Sequence, residues 1–250
     1  MIKNPSFYSV IIGSELLNGR REDEHFRFLN SELTKRGFEQ KANFVIKDDP
    51  KFIEDIFNLI KKDPNSVMFS FGGIGSTPDD FTREVAAKVF TNQELVVHDE
   101  AKKIIIDRLD KRAYPHPIKM AHLPKGAKLL ANPVNKMPGF FLHDRYFFTP
   151  GFPDMAKPMV IEALDKFYPK AQTKYSCNFI VYSGEASLID IMQKLPPDIE
   201  LSCLPGFDAK SKFAEIYLAS FDQDRLKKWT KFFKQEIKSL GIEFTDISTF

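Results

Sequence analysis

The sequence has only two cysteines, Cys177 and Cys203, among its 250 residues. They are too few for a disulfide framework and too far apart in the chain for a Cys-x-x-Cys metal or redox site. An excess of one charge is also lacking, since 36 basic residues face 34 acidic ones and the formal net charge is +2. Such a chain has no field that would attract DNA, RNA or an anionic membrane. We therefore expect a small-molecule partner, with no nucleic acid and no membrane as partner.

Long hydrophobic runs are absent as well. The apolar stretch at residues 7–12 is interrupted at once by Gly13, Ser14 and Glu15, so it is neither a signal-peptide core nor a membrane span. We expect a cytoplasmic protein. The hydrophobic content of 43% is sufficient for one large core or two smaller ones.

The order of the predicted elements favours two domains. Strand and helix patterns alternate over residues 1–169, which predicts an α/β domain with a mostly parallel sheet flanked by helices. From residue 175 the predicted order becomes β-α-β-β-α-β, which is typical of a small α+β domain of the split βαβ type. We assign this second domain to residues 170–250.

The most informative segment is residues 69–82, in which a strand runs through Gly72, Gly73 and Gly75 towards a helix. The apolar run at residues 67–71 is typical of a parallel strand that is covered on both faces. Glycines let the backbone approach a ligand closely, and the free N–H groups at the start of a helix attract anions. The segment therefore predicts a phosphate-binding turn.

Two carboxylates stand at the predicted start of that helix. Thr77 is expected to cap it, with Pro78 at the first helical position and Asp80 three residues after the cap, so part of the pattern is ordinary helix initiation. Asp79 and Asp80 would nevertheless repel a bound phosphate unless a divalent cation bridges carboxylate and phosphoryl oxygens. We favour metal-assisted phosphate chemistry, and pure capping stays open as the alternative.

Two further turns are expected beside the glycine loop, because ligands of open α/β sheets collect at the carboxyl ends of neighbouring strands. One turn contains Gly13 and Glu15 and follows the first predicted strand. The other contains Pro150 and Gly151 and leads from a strand into a helix. We expect the three segments to line one crevice, although Pro150 and Gly151 taken alone are typical of a simple turn.

Five motifs together resemble a known family. They lie at residues 12–19, 72–82, 132–133, 138–140 and 150–155, and in order and spacing they are similar to the N-terminal part of the competence/damage-inducible protein A (CinA) family. The resemblance implies a Rossmann-like, three-layer fold similar to the molybdopterin-binding domain of MogA, MoaB and gephyrin and to the molybdopterin-binding-like domain of FAD synthases. It also implies self-association into a homo-oligomer, and a glycine loop that binds the phosphate of a pterin or a nucleotide.

The resemblance also implies roles for individual residues. The family's two aspartates match Asp80 and Asp48, which are expected to be catalytic and to hold Mg²⁺ or a similar divalent cation. Asp79 is expected to orient an attacking water. The residues expected to contact phosphate or other parts of the ligand are Gly13, Glu15, Gly72, Gly73, Gly75, Ser76, Thr77, Thr82, Pro150 and Gly151.

The function that we favour from the sequence is hydrolysis of a nucleotide pyrophosphate such as ADP-ribose or FAD, an ADP-ribose pyrophosphatase-like activity assisted by metal. Two alternatives stay open. A molybdopterin adenylyltransferase of molybdenum cofactor biosynthesis uses much the same phosphate site to join a phosphoanhydride, and a non-catalytic module would only bind a nucleotide or pterin. The chain departs from the commoner family pattern at His25, where the family has Asn, which leaves the ligand's identity open.

Overall fold

The computed structural model describes residue 2 and residues 4–170, 173–207 and 212–249. The chain forms two compact units, residues 1–171 and residues 172–250. No helix within the described ranges combines the length and the apolar character that are needed to cross a lipid bilayer.

The first unit contains strands and helices that alternate for most of its length. In chain order they are β1 (Ser6–Ile12), α1 (Ser14–Leu17), α2 (His25–Lys35), β2 (Gln40–Ile46), α3 (Pro50–Lys61), β3 (Ser66–Phe71), α4 (Thr82–Ala86), β4 (Leu95–Val97), α5 (Asp99–Leu109), β5 (His122–Pro124), β6 (Lys128–Leu130), β7 (Gly139–Leu142), β8 (Tyr146–Thr149) and α6 (Pro153–Phe167). A π-helix, Ala87–Thr91, continues α4. Residues 112–138, which the sequence predicts to be irregular, include the short strands β5 and β6.

Six of these strands form one mixed sheet in the order β2-β1-β3-β8-β7-β6. The neighbours from β2 to β8 run parallel, whereas β7 and β6 are antiparallel additions at one edge. Strands β4 and β5 pair with each other in a separate antiparallel ribbon. The predicted α/β fold with a mostly parallel sheet is thus confirmed.

Strand β3 shows why this sheet lies between two layers of helices. All six of its residues are buried. Because successive side chains of a strand point to opposite faces, Phe69 and Phe71 join a core that includes Leu29 of α2 and Leu164 of α6. Met68 joins the opposite core, which is built with α3, α4 and α5. Each such buried side chain stabilises the fold by about 1.5–3 kcal/mol.

A polar network occupies the amino ends of the parallel strands. The Asp63 carboxylate accepts hydrogen bonds from the Tyr8 hydroxyl at 2.8 Å and from the Lys41 ammonium at 2.7 Å. Arg145 donates from Nε to the Ser66 carbonyl at 2.7 Å and from Nη2 to the Asp63 carbonyl at 3.3 Å. Burial alone would raise the pKa of Asp63, but the bonds from Lys41 and neighbouring donors outweigh it and hold that pKa well below its ordinary value. Asp63 therefore stays ionised, and the network ties β1 and β3 together.

The second unit has its own sheet and core. Its elements are β9 (Tyr175–Val181), α7 (Ile189–Met192), β10 (Glu200–Phe207), β11 (Lys212–Ser220), α8 (Gln223–Ser239) and β12 (Phe244–Thr249). The four strands are antiparallel in the order β10-β11-β9-β12. Alternate residues of β9 pack with one face of α8, including Phe179 against Phe233. The predicted β-α-β-β-α-β order and α+β class are confirmed.

Candidate functional site

The parallel strands bring the predicted site segments to one edge of the sheet. Strands β2, β1, β3 and β8 are consecutive neighbours, and their carboxyl ends meet at this edge. The segments that follow them contain Asp48, residues 13–15, residues 72–80 and residues 150–153, respectively. The fold therefore collects the three turns that the sequence predicts to line one crevice.

Two of these turns touch where they leave the sheet. A Cβ atom placed on Gly72 would lie 2.4 Å from the Ile12 carbonyl oxygen, and one placed on Gly151 would lie 3.3 Å from the Cα of Gly72. Gly72 also has a φ of 97°, which L side chains rarely adopt. Glycine is thus required at residue 72 both by its backbone angle and by the approach of the neighbouring strand.

Thr82 holds the glycine loop through hydrogen bonds to two of its carbonyl groups. Its side chain is fully buried, and its hydroxyl donates to the Gly72 carbonyl at 3.0 Å. Its N–H donates to the Gly73 carbonyl, also at 3.0 Å. The sequence predicts a ligand contact for Thr82, whereas the structure places its hydroxyl on the loop backbone.

The bonds from Thr82 set the direction of the loop's own N–H groups. In a trans peptide the N–H points opposite to the preceding carbonyl, so the N–H groups of Gly73 and Ile74 point away from Thr82. Neither of them donates to an acceptor in the part of the chain that the structure describes. Successive free N–H groups in a loop are the donors from which proteins form anion-binding concavities. The loop therefore presents two N–H groups that have no acceptor among the described residues.

The predicted helix start at Thr77 is wrong. Helix α4 begins at Thr82, and residue 81 occupies the capping position. Residues 77–80 instead form a turn that is closed on itself: the Asp80 N–H donates to the Thr77 carbonyl at 3.1 Å, and the Asp80 carboxylate accepts from the N–H and hydroxyl of Thr77 at 2.8 and 2.6 Å. Helix α4 therefore begins only at Thr82, the residue that bonds to the glycine loop.

The predicted catalytic carboxylates are all placed in loops at this edge. Oδ2 of Asp48 accepts from the N–H and the hydroxyl of Ser14 at 2.8 and 2.9 Å, which joins the segments after β2 and β1. Asp79 is exposed, and its carboxylate lies 2.5 Å from the Thr77 hydroxyl, whose single proton it shares with the Asp80 carboxylate. This contact lowers the pKa of Asp79, so the side chain is an ionised acceptor at neutral pH.

The donor set fits a cation only in a limited way. Among the described residues there is no group of three or more His, Cys, Asp or Glu side chains placed to hold a metal ion. Oδ2 of Asp48 accepts from Ser14 in the segment after β1, and Oδ2 of Asp80 accepts from Thr77 in its own turn. Their Oδ1 atoms remain available, which suits an ion such as Mg²⁺ that takes most of its ligands from phosphate and water.

The remaining predicted residues lie on the same loops. The Glu15 carboxylate lies beside Gly13, where an added Cβ would be 2.9 Å from Glu15 Oε2, and it is 3.9 Å from the guanidinium of Arg21. Ser76 and Pro150 are partly exposed. Their side chains are open to a ligand at the carboxyl edge of the sheet.

His25 is noted in the sequence only as a departure from the family pattern. The side chain is only 4% exposed, and its ring stacks on Phe71 with centroids 4.4 Å apart. Nε2 lies 3.3 Å from the Gly151 carbonyl oxygen, so we assign the proton to Nε2. Nδ1 has no partner among the described residues. His25 also lines a small pocket that includes Glu15 and Gly151, which places it directly beside the predicted crevice.

Acidification is expected to destabilise the protein through His25. Burial lowers the pKa of this imidazole, while Asp23 and Glu24 act in the opposite direction and Lys157 adds to the lowering. Because the folded-state pKa is the lower one, the contribution of neutral His25 is complete above the ordinary pKa of about 6.5 and is lost as the pH falls below it. Urea unfolding at about pH 7.5 and about pH 5 measures the loss. His25→Asn should show a smaller difference between the two pH values, and an equal difference would contradict the assignment.

A larger cavity in the same unit lies away from these residues. It has a volume of about 720 Å³ and is lined by residues of α5 and α6 and of the segment 129–138. None of the predicted site residues lines it. We place the candidate site at the carboxyl edge of the sheet because the free N–H groups and the carboxylates converge there.

The sequence matches the family described as "Probable molybdopterin binding domain" over residues 9–170. A protein of Pyrococcus furiosus is 32% identical over 95% of this chain and 97% of its own length. A CinA-like protein of Fusobacterium nucleatum is 33% identical over 64% of this chain, but the aligned part is only 39% of that protein. The solved structure of the protein CinA from Thermoplasma acidophilum superposes with a TM-score of 0.58 at 27% identity, covering 64% of this chain and 97% of that one.

The matched family region runs from within β1 to beyond the end of α6, and every predicted site residue lies inside it. The expected resemblance to CinA-like proteins is confirmed by both the sequence relative and the solved structure. The chain thus belongs to the family of probable molybdopterin-binding domains, with CinA-like proteins among its relatives.

Proposed function

We propose that residues 1–169 bind the phosphate groups of a nucleotide or a pterin at the carboxyl edge of the parallel sheet. One observation supports this most strongly. The carbonyl groups of Gly72 and Gly73 are both held by Thr82, and the N–H groups of the same two peptides point away from Thr82 and have no acceptor among the described residues. A structural turn has no need of free N–H groups, whereas an anion site does.

We further propose that the bound group is a pyrophosphate and that the protein hydrolyses it, as for ADP-ribose or FAD. A water oxygen forms a new bond to one phosphorus while the bond from that phosphorus to the bridging oxygen breaks. The products are two phosphate monoesters and a proton. Developing charge on the phosphoryl oxygens would be stabilised by the N–H groups of the glycine loop.

The carboxylates have separate roles in this proposal. Asp79 is an exposed, ionised acceptor that would orient the attacking water. Asp48 and Asp80 would hold a divalent cation through their free oxygens together with the ligand's phosphate. Such an ion neutralises phosphate charge when it is bound. Without it, the carboxylates beside the loop would oppose the approach of an anion.

The first test is whether the purified chain binds and hydrolyses ADP-ribose or FAD. Binding is measured by calorimetry with and without Mg²⁺, and turnover by the appearance of phosphate monoester signals in ³¹P NMR. We expect tighter binding with Mg²⁺ and hydrolysis that stops when the ion is chelated. A parallel incubation with ATP and molybdopterin measures adenylyl transfer, and light scattering measures the proposed self-association.

The outcomes separate the parts of this proposal. Binding without any turnover would leave a nucleotide- or pterin-binding module and would disprove the hydrolase. Formation of adenylylated molybdopterin without hydrolysis of ADP-ribose would favour the transferase. No binding of ADP-ribose, FAD, ATP, molybdopterin or inorganic pyrophosphate would disprove a phosphate site at the glycine loop.

A further inference from the structure

Arg83 is a buried cation directly behind the glycine loop. The residue is only 4% exposed, although arginine is rarely buried so completely without a paired charge. Nη2 donates to the Gly75 carbonyl at 2.8 Å. Nη1 donates to the carbonyls of Lys119 and His122 at 2.5 and 3.2 Å. Arg83 thus fastens the loop to the segment that leads into β5.

No carboxylate accepts a hydrogen bond from this guanidinium within the described structure. Its hydrogen bonds go to neutral carbonyls, its ion-pair contact is with the exposed Glu84 at 3.9 Å, and the Asp80 carboxylate also acts on its charge. Nε is buried and has no partner in the described structure. Burial lowers the pKa of Arg83, but an arginine remains charged at any physiological pH. An anion on the other side of the loop would add its negative charge to that of Glu84 and Asp80.

Arg83 also determines the direction of one N–H group of the loop. Because Nη2 holds the Gly75 carbonyl, the N–H of Ser76 points away from Arg83 across the trans peptide. No acceptor for this N–H lies among the residues that the structure describes. A hydrogen bond to a carbonyl polarises the peptide and strengthens its N–H as a donor. Arg83 thus orients the N–H group of Ser76, as Thr82 orients the N–H groups of Gly73 and Ile74.

We propose that Arg83 is a positioning residue of the anion site: it fixes the Gly75–Ser76 peptide so that the Ser76 N–H faces a bound phosphoryl group, and its buried charge favours that anion. This inference rests on the proposed function, because it requires an anion at the glycine loop. Arg83 itself does not touch the ligand. It acts through its hydrogen bond to the Gly75 carbonyl and through the electrostatic field of its charge.

The test compares two arginines that both donate to backbone carbonyls. Arg83→Gln removes the charge and the fork of donors at the glycine loop. Arg145→Gln removes the matched interactions with Ser66 and Asp63 at the opposite edge of the same sheet. Affinity for inorganic pyrophosphate is measured by calorimetry, and the stability of each variant by urea unfolding. We expect Arg83→Gln to weaken binding about tenfold or more. Arg145→Gln should change it by less than about twofold.

A second variant separates position from charge. Arg83→Lys keeps the charge, but its donors sit on one nitrogen and cannot replace the separate Nη1 and Nη2 contacts. We therefore expect the amide signal of Ser76 in ¹H–¹⁵N spectra to lose its response to pyrophosphate. The amide of Gly73, held by Thr82, should still respond. This measurement also serves if Arg83→Gln does not fold.

Three results would overturn the inference. They are unchanged affinity in Arg83→Gln, an equal loss of affinity in Arg145→Gln, and an unaltered Ser76 response in Arg83→Lys. Failure of the parent protein to bind pyrophosphate is a different result, since it would disprove the proposed function and Arg83's role together. The parent titration therefore distinguishes the two failures.

Discussion

Replacement of Gly73 by Ala is expected to abolish phosphate binding at the glycine loop. Gly73 has a φ of 69°, and an added Cβ would lie 2.2 Å from Thr82 Oγ1. The loop would have to move away from Thr82, which would turn the aligned N–H groups out of position. Loss of two charge-assisted hydrogen bonds at roughly 1.5 kcal/mol each corresponds to at least a hundredfold weaker binding. Calorimetry with ADP-ribose measures the change.

Gly126→Ala is the matched control. Gly126 has a φ of 81°, but no atom lies within 4 Å of an added Cβ. Both variants should therefore lose about 1–2 kcal/mol of stability from backbone strain, and Gly73→Ala should lose more because of the contact with Thr82. Parent-like affinity in a folded Gly73→Ala protein would show that the loop is only a structural turn.

Asp80→Asn is expected to reduce Mg²⁺-dependent hydrolysis of ADP-ribose by about a hundredfold or more, the usual effect of removing one electrostatic stabiliser. The fold should be preserved, because the amide oxygen of Asn can still accept the hydrogen bonds that Asp80 receives from Thr77. What is lost is the charge that would hold the cation. Turnover is measured by ³¹P NMR over a range of Mg²⁺ concentrations.

Asp222→Asn controls for the general effect of neutralising a carboxylate in a turn. Asp222 caps α8 in the second unit and accepts from the N–H groups of Asp224 and Arg225, both at 3.0 Å. Asn caps helices about as well as Asp, so the variant should be as stable and as active as the parent. Equal rates for Asp80→Asn and the parent would disprove a metal-holding role for Asp80.

The sequence predicts those features that depend on local pattern. The apolar run at residues 67–71 predicts a strand buried on both faces, and β3 is such a strand. The spacing of Ile53, Ile56, Phe57 and Ile60 predicts the inner face of α3, and all four are buried. Local spacing is sufficient here because each element repeats the geometry that places its side chains on one face.

The support of the loop was not predictable in the same way. Thr77 has the sequence context of a helix cap. In the structure, residues 77–80 form a turn closed by its own hydrogen bonds, and the helix begins at Thr82. The sequence predicts a ligand contact for Thr82 and no role for Arg83, whereas both side chains hold carbonyl groups of the loop. Their roles depend on the path of the glycine loop next to them. A periodic pattern of apolar residues does not predict that path. His25 was missed for the same reason, since its partners Phe71 and Gly151 lie far away in the chain.

The placement of the Asp63 network has a consequence for how such a protein can change. Asp63, Tyr8, Lys41 and Arg145 brace the amino ends of strands whose opposite ends present the ligand loops. The two edges are separated by the length of a strand and share no hydrogen bond in the described structure. Substitutions that strengthen the Asp63 network can therefore offset the loss of stability caused by new loop sequences, without altering the chemistry of the ligand loops. Heat tolerance and ligand choice become two properties that evolution, or an engineer, can adjust independently.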